Sequence, residues 1–122
     1  MKFPRDKTPY PQDPRSQLLR PGTSDGLYVY VQDAAGTIHV LRDGPHLHPK
    51  VLGFGAPAMY AGDLVMLDGK ITELTNLSGT FQFDDPDGLL NVAACLGELG
   101  IEVVSGAIRF FPVDGSRPRV IG

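Results

Sequence analysis

One cysteine, Cys95, stands in 122 residues, and tryptophan is missing altogether. A lone thiol excludes an internal disulfide framework and fits a reducing compartment, so the expected location is the cytoplasm. Cys95 falls inside a helical pattern, where a single thiol serves as a small apolar filler. No apolar run approaches the roughly 18 residues of a membrane span, and charges and prolines occupy Met1 to Arg20 where a signal peptide would be apolar. Basic charge is also short. Eleven Lys and Arg against fourteen Asp and Glu give a net charge of −3, with no broad attraction for a phosphate backbone, so neither nucleic acid nor membrane is an expected partner.

Turn-forming residues are plentiful: fifteen glycines and eleven prolines favour many short strands over long helices. Residues 1–24 carry Pro4, Pro9, Pro11, Pro14 and Pro21 among charges and read as an extended proline-rich arm, with Leu18 and Leu19 available for docking. Residues 25–122 read as one α+β domain. Within the arm, Pro11 and Pro14 have the spacing of a proline-rich ligand for a protein partner.

From Leu27 the pattern alternates. Leu27, Val29 and Val31 interleave with Tyr28 and Tyr30, a turn follows at 33–36, and Thr37 to Leu41 completes a hairpin. Its two faces are equally bulky, so it is expected to be covered on both sides, with Tyr28 and Tyr30 available to a partner. Asp68-Gly69 between Tyr60–Leu67 and Lys70–Leu77 marks a second hairpin. Ile71, Leu74 and Leu77 are spaced by three, which calls for a bulge or bend near Leu74. Thr80 to Phe83 is expected to return to the sheet.

The period then changes. Asp85, Pro86 and Asp87 make a helix start, Leu89, Val92, Ala93, Leu96 and Leu99 recur at helical spacing, and Gly100 ends the pattern. Ile101–Val104 and Ala107–Phe111 read as short strands, and Pro112 to Gly122 as surface. The fold class predicted is α+β, a mainly antiparallel sheet of short hairpins with one helix packed on a face.

Candidate chemistry centres on His46-Leu47-His48. In an extended segment His46 and His48 point the same way and could present two imidazoles to zinc or another transition metal, with His39 as third ligand and Asp63 or Asp43 as a carboxylate. The competing assignment caps loop carbonyls with these rings. Asp84, Asp85 and Asp87 lack the full calcium-loop pattern and are explained by helix capping. Asn76-Leu77-Ser78 reads as side-chain hydrogen bonding at a strand end, and Gly53-Phe54-Gly55 as a flexible connection. No nucleophile motif is present, and a catalytic role is not expected.

Ala61-Gly62-Asp63-Leu64, Asp68-Gly69-Lys70-Ile71 and Asn76-Leu77-Ser78-Gly79 together resemble a segment of a family of uncharacterised bacterial proteins, in which a hairpin ends in Asn-x-Ser-Gly followed by His-Tyr. Here Thr80-Phe81 replaces His-Tyr, so any chemistry of that histidine is not carried over. Some proteins with the segment look like parts of toxin, effector or immunity systems. The resemblance implies that context and no mechanism. The proline-rich arm, the acidic balance, the doubly apolar first hairpin and the lack of a catalytic constellation point to a non-catalytic interaction module without a cofactor, self-associating or bound to a protein partner. An accessory or immunity role is its expected setting. The alternative is a metal-binding protein or small metal-dependent enzyme built on His46 and His48.

Overall fold

The computed structural model describes residues 1–6, 8–42, 48–78 and 80–122. Along the chain run β1 (Gln17–Leu18), β2 (Gly26–Gln32), β3 (Ile38–Arg42), α1 (His48–Leu52), β4 (Tyr60–Leu67), β5 (Lys70–Thr75), α2 (Pro86–Glu98), β6 (Glu102–Val103), β7 (Ile108–Phe110) and β8 (Arg119–Val120). The strands form one sheet in the order β1-β3-β2-β4-β5-β7-β8, with β6 also paired to β5. This is the α+β class read from the sequence. All pairings are antiparallel except those of β5 with β6 and β7, which are parallel. Parallel neighbours need a crossover, and α2 supplies it.

Both hairpins form where the turn chemistry put them. In the second, Asp68 and Gly69 both have positive φ, 52° and 76°, the geometry of a primed turn whose twist matches the strands it joins. The bulge lies earlier than expected: Val65 pairs with Glu73 but Met66 with Ile71, which leaves Thr72 as the extra residue of β5. β5 then ends at Thr75, and Leu77 is exposed.

Register decides which side chains share a face, because successive residues of a strand point to opposite sides. Tyr28, Tyr30 and Gln32 of β2 pair with Leu64, Gly62 and Tyr60 of β4 and face α2. There Gln32 reaches the Cys95 thiol, and the Tyr60 hydroxyl donates to the Asp85 carbonyl at 2.9 Å. Val29 and Val31 occupy the other face, where α1 packs over β2 and β3. The doubly apolar first hairpin is therefore covered on both sides, as its composition required; of its large apolar side chains only that of Leu27, at its start, is exposed.

Helix α2 begins as expected. The Asp85 carboxylate accepts from the Gly88 N–H at 3.1 Å, Pro86 occupies the first turn, and Leu89, Val92 and Leu96 are buried. One expectation fails. Residues 80–83 form a turn and an irregular segment rather than a strand, although Phe81 and Phe83 are buried and Phe83 stacks on Tyr60 at 4.7 Å between centroids. The aromatic alternation thus reports core contact, which an irregular segment can make as well as a strand. Residues 112–122 lie at the surface, as read from the sequence, and within them Arg119 and Val120 add an exposed end strand, β8.

Residues 1–24 lie along the body. Lys2 forms an isolated antiparallel bridge with Ala58, the Arg5 N–H donates to Thr80 O, the Asp13 N–H to Lys50 O and the Ser16 hydroxyl to Val51 O. Leu19 is buried while Leu18 remains exposed. Gly53 is where the arm crosses most closely: a Cβ there would stand 2.4 Å from the Gln12 nitrogen, and its φ is +80°. Only glycine fits both conditions.

Asn76 joins three parts of the chain. Its amide donates to Phe83 O at 2.9 Å and Phe111 O at 2.8 Å, and its carbonyl accepts the Phe111 N–H at 2.7 Å. The side chain is buried, so truncation strands three main-chain groups of which water can reach few. Asn76→Ala is expected to cost about 2–4 kcal/mol, read as a lower midpoint in urea unfolding. A cost under about 0.5 kcal/mol would show that this junction is not holding the segments together.

Candidate functional site

The histidines occupy separate hydrogen-bonded settings. His39, in β3 opposite Val31 and Leu18, holds Nε2 at 2.7 Å from the Asp33 carboxylate. That carboxylate also accepts the N–H groups of Ala35 and Thr37, both at 2.9 Å. Partial burial pushes the Asp33 carboxyl up, but the bonds from His39, Thr37 and Ala35 outweigh it and hold it below the ordinary range. Asp33 therefore closes the β2–β3 turn. His48 starts α1 and donates from Nε2 to the Gly62 carbonyl at 2.8 Å, with the Asp63 carboxylate 3.9 Å away.

Of the expected metal set, His48 and Asp63 are brought close, whereas His39 is paired with Asp33. His46 and Asp43 lie outside the described residues, as does Gly79 of the resembling segment. Among the described residues no group of three or more His, Cys, Asp or Glu side chains is arranged to hold a metal ion. His48 bonds a carbonyl, as the competing assignment had it, but that of Gly62 within strand β4 and not one in a loop.

Tyr28 and Tyr30, expected at a partner surface, require correction because both are fully buried. Their hydroxyls donate to Ser24 O at 2.8 Å and Thr75 O at 2.7 Å. Burial, followed by the nearby Tyr60 and Asp63, pushes the Tyr30 hydroxyl well above the usual tyrosine range. These rings look like interface aromatics in sequence because both roles call for an apolar body with a polar tip.

Pro11 and Pro14 are exposed, but the backbone between them is fixed. The Ser16 N–H closes a turn onto Asp13 O at 2.9 Å, the Phe54 N–H donates to Tyr10 O at 2.6 Å, and Lys50 lies over the Tyr10 ring. The Arg15 side chain and main-chain N–H bond the Asp13 carboxylate, which is lowered to about 2.

Two surfaces escaped the sequence reading. The first is a corner made by residues 1–3 and 54–59. The Lys2–Ala58 bridge turns Ala58 inward, so Met1, Phe3 and Met59, one residue away, point outward; Phe3 is 72% and Met59 44% exposed. On the same loop Phe54 is 71% exposed and has a φ of 56°, left-handed backbone that a bulky residue occupies only at a cost. Phe54 between two glycines is the available signal, in a stretch that the sequence reads as a flexible connection.

The second is an open cleft of about 230 Å³ lined by Arg109, Phe111, Pro118, Arg119 and Val120. Arg109 pairs with Thr75 and Val120, so these three share the face away from α2. Phe110 and Arg119 take the opposite side, the guanidinium 5.2 Å above the ring. No periodicity announces β8, which is too short to show one.

The Asp33 geometry sets a pH dependence. A carboxyl held below its ordinary value stabilises the fold fully above the unfolded value, about 3.9, and that contribution disappears as pH falls through the folded value. Asp33→Asn is expected to melt below the parent chain at neutral pH, with the gap closing between about pH 5 and pH 2. A gap unchanged across that range would contradict the assignment.

No protein family, curated protein or solved structure matches the chain. Its function is argued from these surfaces.

Proposed function

We propose that the chain is a small protein-interaction module without chemistry of its own, acting in the cytoplasm, and that the corner carrying Phe3, Phe54 and Met59 is its partner-facing surface. One observation carries this reading: an aromatic ring that is 71% exposed occupies a backbone position where glycine would be easier. An L-residue in left-handed backbone costs about 1–2 kcal/mol, and an exposed ring contributes little packing to offset it. Strain kept without a folding benefit points to a role outside the fold. Phe3 and Met59 enlarge the surface to the mixture of aromatic and methionine contacts favoured at interface cores. The resemblance to proteins of bacterial toxin systems makes a toxin the first partner to try.

Phe54→Gly separates the two roles. It is expected to raise stability by about 1 kcal/mol, a rise in melting temperature of about 3–6 °C, while weakening association through the corner. The association itself is read by sedimentation for self-association and by titration of purified candidate partners, with Phe3→Ser as an independent variant at the same surface. Loss of binding in both variants, alongside a higher melting temperature for Phe54→Gly, supports the reading. Unchanged binding in both, or a Phe54→Gly chain that melts lower, overturns it.

A further inference from the structure

The reading above leaves the β7–β8 cleft without a role, although it concentrates charge of the minority sign. Three of the eleven cationic residues, Arg109, Arg117 and Arg119, lie within this short C-terminal stretch of an acidic chain, and all three are exposed. None forms an ion pair among the described residues. Two loop carboxylates are engaged elsewhere: Asp84 accepts the Val113 N–H at 2.9 Å, and Asp114 the N–H of Ser116 at 2.8 Å and its hydroxyl. Arg119 rests on the Phe110 ring on the opposite face, so it is the Arg109 guanidinium that is left to solvent or to a ligand on the face of Val120.

Arg109 is set beside an apolar floor. Phe111, Pro118 and Val120 line the same opening, and Val120 is 55% exposed. The wall is fixed in advance, because Asn76 holds both main-chain groups of Phe111 and Asp84 holds the loop that follows. A preformed wall lowers the ordering cost of binding. At about 230 Å³ the opening is below the ~300 Å³ at which small-molecule pockets begin, and it suits one or two side chains of a longer chain. Arg117, next in the chain to Pro118, adds positive charge beside the opening.

We propose that this cleft binds an extended acidic peptide segment of a partner protein, one apolar side chain resting on Phe111, Pro118 and Val120 and the neighbouring carboxylate bonding Arg109. Guanidinium–carboxylate pairing is directional and frequently bidentate, so Arg109 selects a carboxylate beside an apolar residue, while Arg117 contributes general attraction to acidic flanks. The proposal rests on the reading of the chain as a protein-interaction module, but on a different surface.

The test is fluorescence anisotropy of the whole chain with a labelled peptide of alternating glutamate and leucine. The comparison ligands are the same peptide with glutamine for glutamate, a single-stranded oligonucleotide and inorganic phosphate. The glutamate peptide is expected to bind, and the glutamine version to bind at least about tenfold more weakly. Arg109→Gln should weaken the glutamate peptide by about tenfold or more, with an unchanged melting temperature because the side chain is exposed. Arg117→Gln should weaken it by less than about threefold. Val120→Glu should abolish binding through the floor, and Phe54→Gly should leave it unaltered, so failure here and failure of the corner reading are distinguishable. Equal binding of the two peptides, indifference to Arg109→Gln, or tighter binding of the oligonucleotide or phosphate would overturn the proposal.

Discussion

The fold depends on one buried amide. Asn76 stands where β5 leaves the sheet, and its side chain bonds the main chain of the segment leading into α2 and of the strand that returns after it. Those two stretches have no ladder partner at that point, so without the amide their carbonyls and one N–H would be buried unpaired. Each bond to a side chain contributes modestly, but leaving the groups unmade in a low-dielectric interior is costly. Where the sheet changes from antiparallel to parallel pairing, a side chain thus takes over the main chain's hydrogen bonding.

The same economy recurs in the tyrosines. Tyr28, Tyr30 and Tyr60 fill the space between sheet and α2, and each hydroxyl ends on a main-chain carbonyl, at Ser24, Thr75 and Asp85 respectively. The three large buried rings tie loops at three points around the core. Burial raises the hydroxyls of Tyr30 and Tyr60 and keeps both neutral donors across the physiological range. The surface left over is asymmetric. One corner is apolar and strained, and the β7–β8 end is cationic on an otherwise acidic chain, so the protein has two chemically different faces.

Much of this was legible in the sequence where local chemistry decides structure. The Asp68-Gly69 turn, the Asp85 cap and the leucine spacing of α2 are short-range signals, and each predicts its element. The bulge was foreseen in kind and displaced in position, because spacing shows that Ile71 and Leu74 cannot share a regular strand without showing which residue is extra. Residues 80–83 defeated the reading for a different reason: Phe81 and Phe83 alternate as a strand would, yet their backbone is held by Asn76 and by the arm. Tyr28 and Tyr30 alternate correctly but were assigned outward, since burial of an alternating face depends on what covers it. Both candidate surfaces are made by residues far apart in the chain, Phe3 with Met59 and Arg109 with Val120, and no local pattern brings such pairs together.

The parallel pairing of β5 with β7 has a kinetic consequence. Antiparallel hairpins at the β2–β3 and β4–β5 turns close over short loops, but β7 can take its place only after the whole of α2 has been accommodated, and β8 only after β7. Loop-closure entropy places such contacts late in folding. The cationic cleft, built on these last two strands, is thus completed at the end of the process, and a chain arrested part-way would display the Asp68-Gly69 hairpin without any means of recognising an acidic ligand.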